Sequence, residues 1–276
     1  MTQSRTFARL LVALGAAITA LPLLVPAASA KEPAAGYTQF AGCPSQEENP
    51  AVEFCVRQVI DGGHFQMGSK DVPLAKTMTV VGGVDGAGNF SANAKGGLSP
   101  VEQVVPGGVI GLTGLTWLLE FFGINALSLY ATTEIAGPPG NFFAETLKLP
   151  IRVHLTTPSG VLGKNCYVGT FANPIKLDLT SGTTNPPPPN KPISGKNTEE
   201  GFTDELEIFH ANNGIIVDNS FAAPGASGCV LTLFGFIPIS INGLVNSQSG
   251  LPSPAGTNET KQNIDVELVS RFLVYP

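Results

Sequence analysis

Charged residues are scarce in this chain of 276 residues. Asp, Glu, Lys and Arg make up 13% of it, against about 25% in an ordinary globular domain. The formal net charge is −6, and the sequence contains no run of Lys and Arg that would attract a polyanion. An acidic chain without a basic cluster has no electrostatic reason to bind nucleic acid, so we expect no nucleic-acid partner.

Motifs for catalysis and for cofactors are missing as well. The three histidines, His64, His154 and His210, are far apart in the sequence and form no H-E-x-x-H spacing. The segment GASGC that ends at Cys229 lacks the G-x-S-x-G spacing of a nucleophile elbow. Nucleotide phosphates need a glycine-rich loop that leads into a helix, and the sequence offers none. We therefore predict no catalytic residue, no cofactor and no metal site.

The first thirty residues have the organisation of a secretory signal peptide. Two Arg residues precede an apolar run over residues 10–25, and an Ala-Ser-Ala cleavage site follows at 28–30. Cleavage after residue 30 removes two Arg and no acid. The predicted location is therefore outside the cytoplasm, either secreted or associated with the cell envelope.

Four cysteines follow the predicted signal peptide: Cys43, Cys55, Cys166 and Cys229. An even number in an exported chain favours two disulfides, although four cysteines allow three connectivities. We favour Cys43–Cys55 together with Cys166–Cys229, because each bridge then stays in its own neighbourhood of the sequence. Metal binding is the alternative, and the absence of a C-x-x-C pair disfavours it.

Alternation of apolar and polar residues predicts β-strands along the chain. The clearest example is 147–155, where apolar residues occupy every second position. Pro150 within this segment predicts an edge strand or a bulge. The same alternation recurs at 175–180 and 264–268. Further strands are expected at 72–81, 126–135, 205–208, 215–217 and 230–241.

Turn and helix signals complete the assignment of the fold class. Asp-Gly-Gly at 61–63 accepts the positive φ of a tight turn and predicts a β-hairpin over residues 52–67. A compact apolar run at 115–122, closed by a glycine, predicts a short helix. Residues 246–261 are rich in Pro, Gly, Ser and Asn, which predicts a loop. Many short strands predict a mainly β fold, an antiparallel β-sandwich or barrel-like domain with one short helix.

A proline-rich segment raises the question of a domain boundary. Residues 185–192 (NPPPPNKP) can form neither a helix nor a central strand. The favoured Cys166–Cys229 bridge would tie the two sides of this segment together. We therefore expect one domain over residues 31–276, with 185–192 as a surface loop.

Two long apolar stretches, 109–130 and 230–245, are the most distinctive feature of the chain. The second contains no charged residue, and the first contains only Glu120. Glu120 would cost about 2.5–3.5 kcal/mol in a membrane-spanning helix, which disfavours such a span. Burial in the core is favoured for both stretches. The alternative is an exposed patch for self-association, for a lipid or for a cell-envelope component.

Carboxylates and glycosylation sequons are the remaining candidates for sites. A solvated surface is favoured for the acidic cluster at 199–207. Convergence of two of these acids, or of Asp178 and Asp218, in one cleft would instead favour glycosidase-type chemistry. Asn89 and Asn258 start N-x-[ST] sequons in predicted loops, which makes them weak candidates for N-glycosylation.

The second half of the chain contains a series of Pro- and Gly-rich segments. These are NP (173–174), TSGTT (180–184), KPISG (191–195), VDNSFAAPGASGC (217–229) and GLPS (250–253). In this order they resemble a group of secreted bacterial proteins of unknown function, and the resemblance lies mainly within residues 166–256. It implies export and a shared β architecture, and it carries over no activity and no functional residue.

The sequence thus predicts a secreted, non-enzymatic β protein with a structural or binding role at the cell surface or envelope. Two alternatives remain open. One is a hydrolase of envelope glycans or lipids. The other is a membrane-active or pore-forming oligomer that uses 109–130 and 230–245.

Overall fold

The structure is a computed structural model that describes residues 31–114, 127–199, 201–233 and 237–276. The predicted signal peptide (1–30) and the predicted helix (115–122) lie outside the described residues. Sixteen strands are described: β1 (Val52–Met67), β2 (Lys70–Pro73), β3 (Met78–Asp85), β4 (Phe90–Ser91), β5 (Gly97–Leu98), β6 (Glu102–Val104), β7 (Tyr130–Ile135), β8 (Thr146–Thr156), β9 (Tyr167–Val168), β10 (Ile175–Thr180), β11 (Phe202–Thr203), β12 (Phe209–Asp218), β13 (Ala226–Ser227), β14 (Val230–Leu233), β15 (Ile237–Ser240) and β16 (Glu259–Ser270).

Helices are short in the described part of the chain. They are a 3₁₀ turn at Thr38–Phe40, followed by α1 (Gly108–Thr113), α2 (Asn242–Ser249) and α3 (Arg271–Val274). None of the described helices is long and apolar enough to cross a membrane.

Fourteen of the described strands form one antiparallel sheet, whose central order is β13-β9-β8-β10-β12-β16-β1-β3-β4. The sheet curls, so that β5 contacts β7 and β2 contacts β6. The apolar faces of the strands therefore meet in one interior, which holds the main core. The prediction of a mainly antiparallel β fold, sandwich-like or barrel-like, is confirmed. Strands β14 and β15 pair only with each other among the described residues.

The predicted hairpin over residues 52–67 is wrong, because β1 is a single strand of 16 residues. Strand β16 pairs with both halves of β1, and the register slips between Ile60 and Gly62. The slip leaves Asp61 without a partner residue on β16, so the segment forms a β-bulge rather than a turn, and Gly63 lies at φ +112° against the carbonyl of Lys261. The chain reverses later, where Met67 pairs with Lys70.

Other strand boundaries also differ from the prediction. Residues 205–208 are not a strand, and 215–217 belongs to the longer β12. A bulge between Ala211 and Gly214 interrupts the pairing of β12 with β16. There the N–H of Asn213 donates to Asp265 Oδ1 at 2.8 Å instead of joining the ladder. The predicted strand at 72–81 is two strands, β2 and β3.

Both predicted disulfides are present, Cys43–Cys55 and Cys166–Cys229. The first lies in a small second core near the chain terminus, where Tyr275 donates its hydroxyl proton to the Cys43 carbonyl at 2.9 Å. Burial, reinforced by nearby carboxylates, raises the pKa of Tyr275 to about 12. The phenol therefore remains a donor at any physiological pH.

Candidate functional site

The β14–β15 hairpin projects apolar residues into solvent. All four residues of β15 are exposed, and Ile237 and Ile239 are each 42% accessible. The expectation that 230–245 is buried in the core is therefore wrong for β15. Among the described residues neither strand pairs with a third strand, and no charged residue lies within 230–245 to protect the outer edges.

The base of the hairpin is firmly held, in contrast to β15. Leu231 and Ile241 are buried in the main core. The N–H of Val230 donates to the Leu162 carbonyl at 3.1 Å, and the N–H of Ile241 donates to the Cys229 carbonyl at 3.0 Å. Since Cys229 is also bridged to Cys166, the hairpin is fixed to β9 and its neighbours by a covalent bond.

The other apolar stretch, 109–130, is attached to the same part of the fold. Helix α2 follows β15 directly, and α1 packs against α2. Residues 115–126 lie outside the described residues, but both of their attachment points are defined. The chain leaves α1 at Gly114, which lies beside Gln248 of α2, and it returns at Leu127, whose carbonyl accepts from the N–H of Val109 at 2.9 Å. Helix α2 has eight residues, so about 12 Å separates its first residue, which follows β15, from its last residue, next to Gln248.

A polar cleft of about 700 Å³ lies elsewhere on the sheet, where β10 and β12 separate. The pairing of these strands consists of Thr180 opposite Val217. Hydroxyl, amide and carboxylate groups line the cleft, from Glu145, Thr146, Asp178, Thr180, Ser181, Thr183, Thr184, Asn185, Asn197, Asp218 and Ser220. The structure thus brings Asp178 and Asp218 into one cleft.

The two aspartates of this cleft have different environments. Asp218 is 1% exposed. Its carboxylate accepts the N–H of Asp178 at 2.7 Å, and the N–H and hydroxyl of Ser220 at 2.8 and 2.7 Å. It therefore joins β10 to β12 in place of a backbone bond. The Asp178 side chain is exposed and makes no hydrogen bond within the described part of the chain.

None of the described acids of the cluster at 199–207 lines the cleft. Glu199 accepts a hydrogen bond from Asn213 and pairs with Lys196, and these contacts, the first most strongly, lower its pKa. Asp204 closes a turn: its carboxylate contacts His210 Nε2 at 3.0 Å and accepts the N–H of Ile208 at 2.9 Å. The hydrogen bond from His210, followed by that from Ile208, lowers the pKa of Asp204. Glu200 lies outside the described residues.

The two sequons have opposite accessibility. Asn89 is exposed, and its amide donates to Asp85 Oδ2 at 2.8 Å. Asn258 is fully buried. Its amide donates to the carbonyls of Phe221 and Pro254, so a glycan on this nitrogen is incompatible with the folded chain. Asn89 alone of the two can carry a glycan in the folded protein.

The histidines have ordinary partners. His64 contacts Asp71 at 2.9 Å, and His154 stacks on Tyr167 with ring centroids 4.3 Å apart. Within the described residues, no three His, Cys, Asp or Glu side chains are grouped closely enough to hold a metal ion.

Comparisons of the chain with protein-family models, with curated proteins and with solved structures find no match. The candidate function therefore rests on the geometry of this chain. The resemblance to a group of secreted bacterial proteins remains a prediction.

Proposed function

We propose that this chain is an exported, non-catalytic binding protein of the cell surface or envelope, which attaches to lipid through the β14–β15 hairpin. The other apolar stretch, 109–130, has buried ends: Val109, Leu112, Leu127 and Leu129 lie in the main core. The observation that carries this proposal is the exposure of β15. Two disulfides support an oxidising compartment, since such bonds are rare in the cytosol.

The chemistry of the hairpin favours a lipid surface. Ile237, Pro238 and Ile239 are exposed. Transfer of their apolar surface out of water lowers the free energy by about 25 cal/mol per Å². No charged residue lies within 230–245, so insertion into the hydrocarbon boundary carries no cost of burying a charge. The Cys166–Cys229 bridge fixes the base of the hairpin before it binds, which lowers the entropic cost of association.

The aromatic content of the hairpin segment agrees with this surface. The sequence Phe-Gly-Phe at 234–236 connects β14 to β15. Phe is favoured on the apolar faces of segments that lie in the membrane interface.

A vesicle-flotation experiment tests this proposal. The purified chain without residues 1–30 is mixed with phosphatidylcholine–phosphatidylglycerol vesicles and floated on a density gradient. We expect the wild type to float, and the double variant Ile237→Asp/Ile239→Asp to lose at least about tenfold in affinity, because two charges must then enter the interface.

The control is Phe272→Asp, which places a single acid at an exposed apolar residue, 65% accessible, outside the hairpin; the single variant Ile239→Asp matches it in charge. We expect Phe272→Asp to float as the wild type does. Equal flotation of the hairpin variant and the wild type would contradict the proposal. Self-association of the wild type without flotation would favour the alternative in which the hairpin binds a second copy.

The second candidate is a hydrolase of envelope glycans, which the convergence of Asp178 and Asp218 favours. One carboxylate is free and exposed, and the other is buried and fully hydrogen-bonded. Two acids in different environments are the elements of glycosidase chemistry. The hydroxyl and amide groups of the cleft suit a polyhydroxylated ligand.

This second candidate predicts that the protein releases reducing sugar from purified cell-wall glycan. Asp178→Asn would then lower the rate at least about a hundredfold, since general acid–base catalysis contributes that much or more. Glu199→Gln, an acid outside the cleft, would leave the rate unchanged. Absence of release by the wild type rejects the hydrolase and leaves the lipid-binding proposal untouched.

A further inference from the structure

The polar cleft between β10 and β12 contains side chains that have no hydrogen-bond partner within the described part of the chain. They are the carboxylates of Glu145 and Asp178, the hydroxyl of Thr146 and the amide of Asn185. Glu145, Asp178 and Asn185 are also exposed. The cleft therefore offers free hydrogen-bonding groups that a bound molecule can reach.

The wall beside these groups is held in place by its own hydrogen bonds. Ser181 donates its hydroxyl proton to Asn197 Oδ1 at 2.5 Å, and the hydroxyls of Thr183 and Ser194 are 2.8 Å apart. The amide nitrogen of Asn197 makes no bond within the described residues and remains a free donor. Because the wall is ordered before a ligand binds, the entropic cost of association is lowered.

The size and the composition of the cleft restrict what it can bind. Its volume of about 700 Å³ lies within the range of about 300–1,000 Å³ that is typical of ligand sites. The described lining contains three carboxylates and no Lys, Arg or His, so an anionic ligand would meet like charges without a counter-charge. The described lining contains no apolar side chain either, so an apolar ligand would cover free polar groups without replacing their bonds to water.

A neutral sugar satisfies these conditions. Its hydroxyls donate to the free carboxylates, and its oxygens accept from the free amide nitrogens of Asn185 and Asn197. Hydrogen bonds with a charged partner are roughly twice as strong as those between neutral groups. The carboxylates of Glu145 and Asp178 therefore contribute most to the binding of sugar hydroxyls.

We propose that this cleft is a binding site for a neutral polysaccharide, which bonds to Asp178 and Glu145 through its hydroxyls. Retention of the glycan requires no bond cleavage, so the site does not depend on the hydrolase named as the second candidate function. It does not depend on lipid attachment either, because none of its described lining residues belongs to the β14–β15 hairpin. A protein with both sites connects a lipid surface to a neutral glycan.

Affinity electrophoresis tests the proposal, in native gels that contain a soluble polysaccharide. The neutral polymers are dextran, galactomannan, xyloglucan and laminarin, which differ in stereochemistry, and the anionic polymers are polygalacturonate and alginate. We expect the chain without residues 1–30 to be retarded by at least one neutral polymer and by neither anionic polymer, relative to gels without polysaccharide. The retardation should persist in EDTA, because the side chains bond to the glycan directly.

Two substitutions at Asp178 separate the hydrogen bonds from the charge. Asp178→Ala should weaken binding about tenfold, as expected for the loss of hydrogen bonds to a charged group. Asp178→Asn keeps an acceptor oxygen and should weaken binding only about threefold. Glu205→Ala is the matched control, because it removes an exposed carboxylate that does not line the cleft. The fold should be kept in the Asp178 variants, since Asp178 bonds to Asp218 through its backbone N–H.

Several results would overturn the proposal. Absence of retardation by every neutral polymer rejects the site, and equal retardation by the anionic polymers rejects the selection by charge. Equal binding of Asp178→Ala and the wild type places the glycan elsewhere, and loss of binding in EDTA assigns it to a metal ion. Retardation without release of reducing sugar supports this site and rejects the hydrolase. Vesicle flotation is measured separately, so the lipid-binding proposal can fail or stand independently.

Discussion

Asn258→Ala lowers the free energy of unfolding by about 3–5 kcal/mol. Asn258 is fully buried, and its side chain makes four hydrogen bonds. The oxygen accepts from the N–H of Gly68 and the hydroxyl of Ser253, and the nitrogen donates to the carbonyls of Phe221 and Pro254. Removal leaves buried donors and acceptors unpaired in three separate segments of the chain, which is the costly form of hydrogen-bond loss.

Urea denaturation followed by circular dichroism measures this effect, with Asn89→Ala as the control. Asn89 is also the asparagine of a sequon, but it is exposed and bonds to Asp85 at the surface. We expect the control to change the free energy by less than about 1 kcal/mol. A similar loss in both variants would show that Asn258 does not hold the three segments together.

Removal of the Cys166–Cys229 disulfide has the second largest expected effect. The bridge closes a loop with a sequence separation of 63 residues, and the chain-entropy relation gives about 4 kcal/mol for a loop of that length. That is a large part of the 5–15 kcal/mol that stabilises an ordinary domain. The double variant Cys166→Ala/Cys229→Ala should therefore show a much lower urea midpoint.

The other disulfide provides the control for loop length. Cys43–Cys55 closes a separation of only 12 residues, for which the same relation gives about 3 kcal/mol. Cys43→Ala/Cys55→Ala should thus be the more stable of the two variants. The reverse order would contradict the entropic account. Loss of vesicle binding should be confined to the Cys166/Cys229 variant, because only that bridge holds the base of the hairpin.

Strands with one buried face could be predicted from the sequence. β8 and β10 alternate clearly, because one side faces the core and the other faces solvent. β1 could not be predicted as one strand, since its continuity comes from pairing with β16 about 200 residues away, which overrides the local turn preference of Asp-Gly-Gly. Long-range pairing of this kind leaves no local pattern.

Helix α2 was also missed, for a related reason. Its eight residues NGLVNSQS are mostly poor helix formers. Contacts with other segments stabilise it: Asn246 Oδ1 accepts the N–H of Ala226, and Asn242 Oδ1 accepts the N–H of Cys229. The contribution of these side chains depends on the position of β13, which the sequence of α2 does not encode.

The candidate sites could be predicted in part. The absence of charge identified 230–245 as unusual, but a stretch that is apolar throughout does not reveal which of its residues face solvent. The structure places Leu231 in the core and Ile239 outside it.

The most direct test of lipid attachment places a fluorescent reporter in the hairpin, with Ile239→Trp in a Trp117→Phe background. Trp117 is the only native tryptophan and Ile239 is 42% accessible, so the emission then reports on β15 alone. On addition of phosphatidylcholine–phosphatidylglycerol vesicles we expect the emission to shift to shorter wavelength and to be quenched by lipids brominated on their acyl chains. Both changes should be much smaller when Ile237→Asp is added. An emission spectrum that vesicles leave unchanged, with no quenching by brominated lipid, would contradict the account.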